Sequence, residues 1–396
     1  MTSPVPRSQP GVLLVLQAGG PTAVVNATLA AIIASAGASE RFGGVLGVRH
    51  GIEGLIHGDV RSLEGLGRDR LAALRHQPGA ALGSSRRPIA EKDFASIASI
   101  LASLDTQALL MIGGNGTMMA ACELDEVLRT MGSAIRIIGV PKTVDNDILG
   151  TDRCPGYASA ARFIAQSIRD VVEDVRTLPV PVSIFETMGR DAGWLGAAAS
   201  LAREPECPGP QVILIPEQPF QMDAFLQRVD QAMKVDGWVV VAVSEGICGP
   251  EGRPVHETQV AAHQDAIGRP IPGDVAAFLA RAVGESLGLR CRSEKPGLCG
   301  RTAMGFVAPQ DRADAEAVGR AAVEAAIATE GGVMITLENL GDDRMVRTGT
   351  IPLAKLEKRS RRLPPSWIDP RGEPTEGFVD YLAPRIGVPL RHYRSL

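Results

Sequence analysis

One phrase repeats in this chain and restricts its fold more than anything else: a short apolar run, a glycine-rich break, then small and apolar residues at helical spacing. It appears first where residues 11–17 give way to Gly19-Gly20-Pro21-Thr22 and then to residues 26–34. It recurs where residues 108–112 lead into Gly113-Gly114-Asn115-Gly116 and then residues 117–128. A third copy runs from 135–140 through Pro141-Lys142-Thr143-Val144-Asp145-Asn146-Asp147 to a helix on which Ala161, Ile164, Ile168, Val171 and Val175 recur at steps of three and four. Strands separated by helices pair in parallel, because the crossover is too long for a hairpin. Further strands are predicted at 182–185, 211–215 and 238–243, with helices near 192–202 and 273–287, and the alternation continues to about residue 340.

About 330 residues of such alternation exceed one doubly wound unit. The predicted class is therefore α/β, with two Rossmann-like three-layer αβα lobes, mainly parallel sheets and an active-site cleft between the lobes. Beyond residue 340, Pro352, Pro364, Pro365, Pro370, Pro374 and Pro384 oppose a packed helix, while Trp367, Ile368, Phe378, Tyr381 and Leu382 tie the segment to the body. Residues 341–396 are read as an ordered, wrapping C-terminal extension.

Composition narrows the partners. With 41 Lys+Arg against 45 Asp+Glu, the net charge of −4 predicts no nucleic-acid surface, so local arginines must carry any phosphate chemistry. The apolar runs fall far short of the ~20 residues of a membrane helix, and the first ten residues carry no signal-peptide core. The expectation is a cytoplasmic protein with no membrane partner. Six cysteines without a CxxC pair predict reduced thiols, and six dispersed histidines without HExxH give no reason to assign a metal to histidine.

Chemistry gathers in the loops. Glycines between a strand and a helix let backbone approach an anion at the helix N-terminus, so the 113–117 loop is suited to phosphate. In an extended Pro141–Asp147 loop alternate side chains share a face, so Asp145 and Asp147 would project together while Asn146 points away. Such a pair can divide the labour, one carboxylate taking a proton from an attacking hydroxyl and the other holding magnesium, while Lys142 and Thr143 donate to phosphate oxygens. Met188-Gly189-Arg190 places a guanidinium at the mouth of the sheet, and Ser244-Glu245-Gly246 ends another strand with an acid suited to sugar hydroxyls.

These pieces, together with Asn26, Gly83-Ser84-Ser85-Arg86, Gly150-Thr151-Asp152 and Pro155-Gly156, resemble the phosphofructokinases end to end, and most of all their pyrophosphate-type branch. The tail around Pro365–Ile368 and Phe378–Leu382 shares the likeness. The resemblance implies transfer of a phosphoryl group to the 1-hydroxyl of fructose 6-phosphate, with Mg²⁺, from ATP or pyrophosphate, in a homodimer or homotetramer. It implies a donor lobe of 10–150 with part of about 255–320, and a sugar-phosphate lobe of 151–255 with about 320–340.

Carried over by residue, Asp145 is the base, with Lys142 and Arg190 also catalytic. Thr143, Met188, Gly189, Arg190, Glu245, Arg292 and Arg301 bind the acceptor. Gly20, Arg86, Gly114, Asn115, Gly116 and Thr117 face the donor, and Asn115 and Asp147 serve the metal. Pyrophosphate users carry aspartate where this chain has Gly116 and share its Lys142. An aspartate there would repel a nucleotide's α-phosphate, so Gly116 tilts the expectation to ATP while the overall branch pulls toward pyrophosphate. Asn115 replaces a usual aspartate, Gly300 replaces a usual glutamine, and 302–311 lacks the usual histidine-containing sequence. Another ketose phosphate as acceptor, or a catalytically weak regulatory homologue, therefore remain alternatives.

Overall fold

The computed structural model describes residues 10–205, 208–256, 274–328, 331–339, 346–387 and 389–393. Gly273, at the start of one expected helix, Cys207 and the first nine residues lie outside them. Eleven strands are present among the described residues. They are β1 (Val12–Gln17), β2 (Val45–Val48), β3 (Val60–Ser62), β4 (Thr106–Gly113), β5 (Arg136–Pro141), β6 (Val182–Thr187), β7 (Val212–Leu214), β8 (Val239–Ser244), β9 (Cys291–Glu294), β10 (Val333–Asn339) and β11 (Val346–Pro352).

Two sheets form. The first has the order β11-β10-β5-β4-β1-β2-β3, parallel from β10 through β2, with antiparallel strands at both edges. The second, β7-β8-β6-β9, is wholly parallel. Successive side chains of a strand face opposite ways, and here both faces are buried. Leu13, Val15, Leu110 and Ile112 enter one core of the first sheet, while Leu14, Leu16, Leu109 and Met111 enter the other. In the second sheet Val239, Val241 and Val243 point one way, and Val240 and Ala242 the other. Continuous apolar strands covered by helices on both faces are the signature of parallel sheets, so the α/β class is the one the chain adopts.

The chain divides into two compact units: 1–143 with 148–156 and 312–359, and 144–147 with 157–311 and 360–396. Of the stretches beyond about residue 255, 312–320 lies with the first unit as expected, while the part up to 311 lies with the second unit and 320–339 with the first. Two pairings decide it: β9 joins β6 in the second sheet, whereas β10 joins β5 in the first. The helix Pro309–Ala328 also packs Gly319 against the carbonyl of Thr28, in the helix Val25–Gly37.

The C-terminal segment is not one extension either. It supplies β11 to the first unit, and the short helix Glu376–Leu382 to the second, despite its prolines. Phe378, Tyr381 and Leu382 bury in the second unit's core beside Trp194. No helix among the described residues is long and apolar enough to cross a membrane.

Candidate active site

In the first unit three glycine or proline loops leave the C-terminal ends of the adjacent parallel strands β1, β4 and β5, where open α/β sheets bind ligands. They are tied together by backbone: Ala18 N–H donates to Ile112 O at 2.8 Å, and Lys142 N–H to Gly113 O at 2.9 Å. The helix Asn115–Thr130 starts from an extended Gly114 without a side-chain cap, so its positive end is presented by the glycine loop itself.

Lys142 is buried, 2% exposed, and its Nζ donates to Ala18 O at 3.0 Å and to Gly20 O. A Cβ on Gly114 would stand 3.6 Å from Lys142 O, and one on Gly19 would stand 3.6 Å from Lys142 Nζ. The ammonium is thereby fixed beside both loops.

Gly20, Gly114, Asn115, Gly116, Lys142 and Thr143 are thus gathered by these strand ends. Thr117 is buried with its side chain against Gly113, where a Cβ would come within 2.0 Å of Thr117 Oγ1. Its place is in the loop's packing. Thr143 is also buried and bridges to Gly156.

Arg86 is exposed on a segment docked by two hydrogen bonds, Gly19 N–H to Ser85 O at 3.0 Å and Ser84 Oγ to Gly19 O at 2.6 Å. Asn26 helps to hold that segment: Nδ2 donates to Gln77 O and Gly79 O, and Oδ1 accepts from Ala81 N–H and Gln17 Nε2. The Gly150–Gly156 stretch is structural in the same sense. Thr151 and Asp152 hydrogen-bond to β10, Arg153 pairs with Asp314, and Gly156, at φ 112°, leaves room for Thr22.

The acidic segment is bent, not extended as the sequence suggested, because Asn146 sits in the left-handed region at φ 53°. Burial nevertheless alternates: Asp145 and Asp147 are half-buried and Asn146 fully buried. The conformation is tied down inside the second unit. Asn146 Nδ2 donates to Tyr381 OH at 3.2 Å, and its carbonyl accepts from Arg361 Nε and Nη2 at 3.1 and 2.9 Å. Arg361 N–H donates to Asp147 O at 2.7 Å, and Ser360 Oγ to Asp147 Oδ2 at 3.2 Å.

Also in the second unit, glycines place Arg190. Gly189 adopts φ 115°, and a Cβ on Gly246 would strike the Arg190 carbonyl at 1.8 Å. The Met188–Arg190 loop therefore lies directly on Ser244-Glu245-Gly246. Burial, then the Glu186 carboxylate, pushes the Glu245 carboxyl above its usual range, opposed by Lys295, the Gly189 N–H and Arg190.

Met188 Cε lies 3.6 Å from where a Cβ on Gly300 would stand, which brings the Arg301 helix turn (Cys299–Thr302) to the same place. Arg292 is exposed on the edge strand β9, opposite Ser183. Lys295, three residues further on, is a residue the sequence reading missed. Its Nζ sits 2.9 Å from Glu186 Oε1 and 3.0 Å from Asp274 Oδ1. Ser360, Arg361 and Tyr381 were missed as well, since nothing near them in sequence marks them as partners of the acidic segment.

Magnesium is ordinarily held by one or two carboxylates, with substrate phosphates and water completing its shell. Asp147 is a half-buried carboxylate with one oxygen oriented by Ser360, a donor type that fits such an ion.

The family model described as "Phosphofructokinase" matches residues 12–326. A pyrophosphate–fructose 6-phosphate 1-phosphotransferase of Xanthomonas campestris is 37% identical over 95% of this chain and 91% of its own. A sulfofructose kinase of Alkalicoccus urumqiensis is 33% identical over 92% of this chain and 94% of its own. The crystal structure of a pyrophosphate-dependent phosphofructokinase from Marinobacter aquaeolei superimposes with a TM-score of 0.85 at 32% identity, covering 96% of this chain and 92% of that one. With likeness over nearly the whole length, and phosphate-type glycine loops at the ends of parallel strands, this chain is a phosphotransferase that belongs to the phosphofructokinase family.

Proposed function

We propose that the chain transfers a phosphoryl group to the 1-hydroxyl of fructose 6-phosphate, giving fructose 1,6-bisphosphate, with ATP as donor, in a cytoplasmic, glycolytic setting. The observation that carries the reaction is the run Lys142–Asp147. It joins, in consecutive residues, a buried ammonium held on the donor-side loops and a pair of half-buried carboxylates.

In this reading the helix end at Gly114–Gly116 and the Lys142 ammonium receive the donor phosphates, with Gly20 and Arg86 at the rim. Asp145 takes the proton from the sugar hydroxyl, and Thr143 and Arg190 donate to the phosphoryl oxygens. Glu245 accepts from sugar hydroxyls, while Arg292 and Arg301 serve the 6-phosphate and Met188 and Gly189 shape the acceptor loop. Asn115 and Asp147 would hold Mg²⁺, which when bound neutralises charge on the transferring phosphates.

The choice of ATP is supported by Gly116. Among the described residues a Cβ there would meet nothing within 4 Å, so packing does not demand glycine and the space is left for a ligand. Pyrophosphate is the second reading, favoured by the nearly full-length likeness to pyrophosphate-dependent enzymes together with Lys142. The domain roles follow the loops: the first unit for the donor, the second for the sugar phosphate. A homodimer or homotetramer accompanies this reading and is checked by light scattering.

The test is turnover with each donor over fructose 6-phosphate, sedoheptulose 7-phosphate and sulfofructose. Fructose 6-phosphate with ATP should be the fastest pair, and Asp145→Asn should lose about two to four orders of magnitude in kcat, the usual worth of a positioned base. No product with any pair, or an unimpaired Asp145→Asn enzyme, would end the proposal.

A further inference from the structure

An aspartate pair can divide acid, base and metal work only if the backbone between the two residues is held still. That backbone is an unusual one, because Asn146 occupies the left-handed region and its side chain is fully buried. Asparagine tolerates the conformation better than most residues, but a bent loop with one left-handed residue has competing conformations close by. Something outside the loop must select this one.

The selecting contacts come from the C-terminal tail. The Asn146 carbonyl, between the two carboxylate residues, accepts both Nε and Nη2 of Arg361, at 3.1 and 2.9 Å. The next peptide is gripped as well, by Arg361 N–H on Asp147 O at 2.7 Å. Arg361 is itself fixed: its guanidinium lies 4.3 Å from the centroid of the Trp194 ring, and its carbonyl accepts Trp194 Nε1–H at 2.8 Å. Trp194 is 1% exposed and packs at 6.0 Å from Trp367 and 5.7 Å from Tyr381. Tyr381 then receives the Asn146 amide. A planar fork on a rigid aromatic platform thus fixes the orientation of one peptide plane, a task for which lysine is no substitute.

We propose that Arg361 is a positioning residue for phosphoryl transfer, acting through the Asn146 carbonyl to hold Asp145 and Asp147 in their reacting directions. It needs no contact with either substrate. The inference rests on the reading of Asp145 as the base.

The experiment measures kcat and the KM for each substrate for the full chain, Arg361→Lys, Arg361→Ala and Asp145→Asn, alongside thermal melts. A positioning role predicts that kcat falls about 10-fold in Arg361→Lys and about 100-fold in Arg361→Ala, as small misplacements of a reacting group do. Both KM values should stay within about threefold, since uniform binding is untouched. A cooperative Arg361→Lys enzyme with native kcat overturns the proposal, and so does a rise in KM at constant kcat. If Arg361→Ala does not fold, Arg361→Lys decides; if that variant also loses its cooperative melt, Arg361 determines the fold and the proposal is wrong. An inactive Asp145→Asn beside a fully active Arg361→Lys sinks the clamp alone, whereas an active Asp145→Asn removes the base and the clamp with it.

Discussion

Replacing Gly116 by aspartate separates donor choice from folding. The residue is the second of the helix Asn115–Thr130, and a Cβ added there meets nothing within 4 Å among the described residues. No steric penalty opposes the change. Aspartate restricts the unfolded chain more than glycine and places a negative charge at the positive end of a helix, together a gain of about 0.5–1 kcal/mol. The same charge meets an arriving nucleotide very differently. Two unit charges about 4 Å apart, at the effective dielectric near a protein surface, repel by about 4 kcal/mol, which is roughly a thousandfold in kcat/KM.

The assay is a coupled measurement of kcat/KM with ATP and with pyrophosphate, for the native and Gly116→Asp chains, beside their thermal melts. The expected result is an equal or slightly higher melting temperature, near-complete loss of ATP use and retention of pyrophosphate use. Equal loss of both donors in a well-folded protein would refute the argument, because it would mean the side chain obstructs the shared phosphate positions and not the extra reach of the nucleotide.

Three further outcomes follow from the second unit. The Glu245 carboxyl is raised above its usual range near 4.5 mainly by burial, so the folded form binds its proton more tightly than the unfolded one. Stability from this group is therefore lost as pH rises through the window above 4.5. Glu245→Gln should melt higher than the native protein at pH 7, with the difference shrinking toward pH 4, and should raise the acceptor KM; a difference that grows toward pH 4 would contradict the sign. Glu373, 3% exposed, receives Arg203, Arg228 and Ile213 N–H, so Glu373→Gln leaves two guanidiniums without their counter-charge. Because both arginines are partly wet, the cost should be about 2 kcal/mol in denaturant melts, below the figure for a fully buried pair, and an unchanged midpoint would show that solvent replaces the carboxylate. Burial pushes the Cys291 thiol up to about 12, whereas Cys299 is exposed beside Arg301. A disulfide reagent at pH 8 should label the exposed Cys299 quickly and the half-buried Cys291 more slowly, and sugar phosphate should slow the labelling of Cys299; labelling of Cys291 at the same rate would refute the reasoning.

Residues 11–17, 108–112 and 135–140 were legible as strands, and the breaks after them as loops at strand ends, because each signal is local. An apolar run long enough for a strand and glycines that permit a sharp turn act within a few residues of themselves. Gly113–Gly116 and Lys142–Asp147 could be picked out in the same way, by residue types that few turns need together. The family likeness was readable in those loops too, and the match to the family model runs over residues 12–326.

Tertiary structure alone decided how the later segments are shared. Whether β9 pairs with β6 and β10 with β5 depends on strands more than a hundred residues away, and no periodicity encodes a partner. It also decided the shape of the acidic loop. Alternation predicted an extended strand end, but a left-handed Asn146 is stable here because Arg361, 215 residues later, satisfies its carbonyl and Tyr381 its amide. A hydrogen bond closed over that distance exists only once the core around Trp194 has brought the tail against the loop. For that reason the sequence names the chemistry of the site, while the fold fixes its geometry.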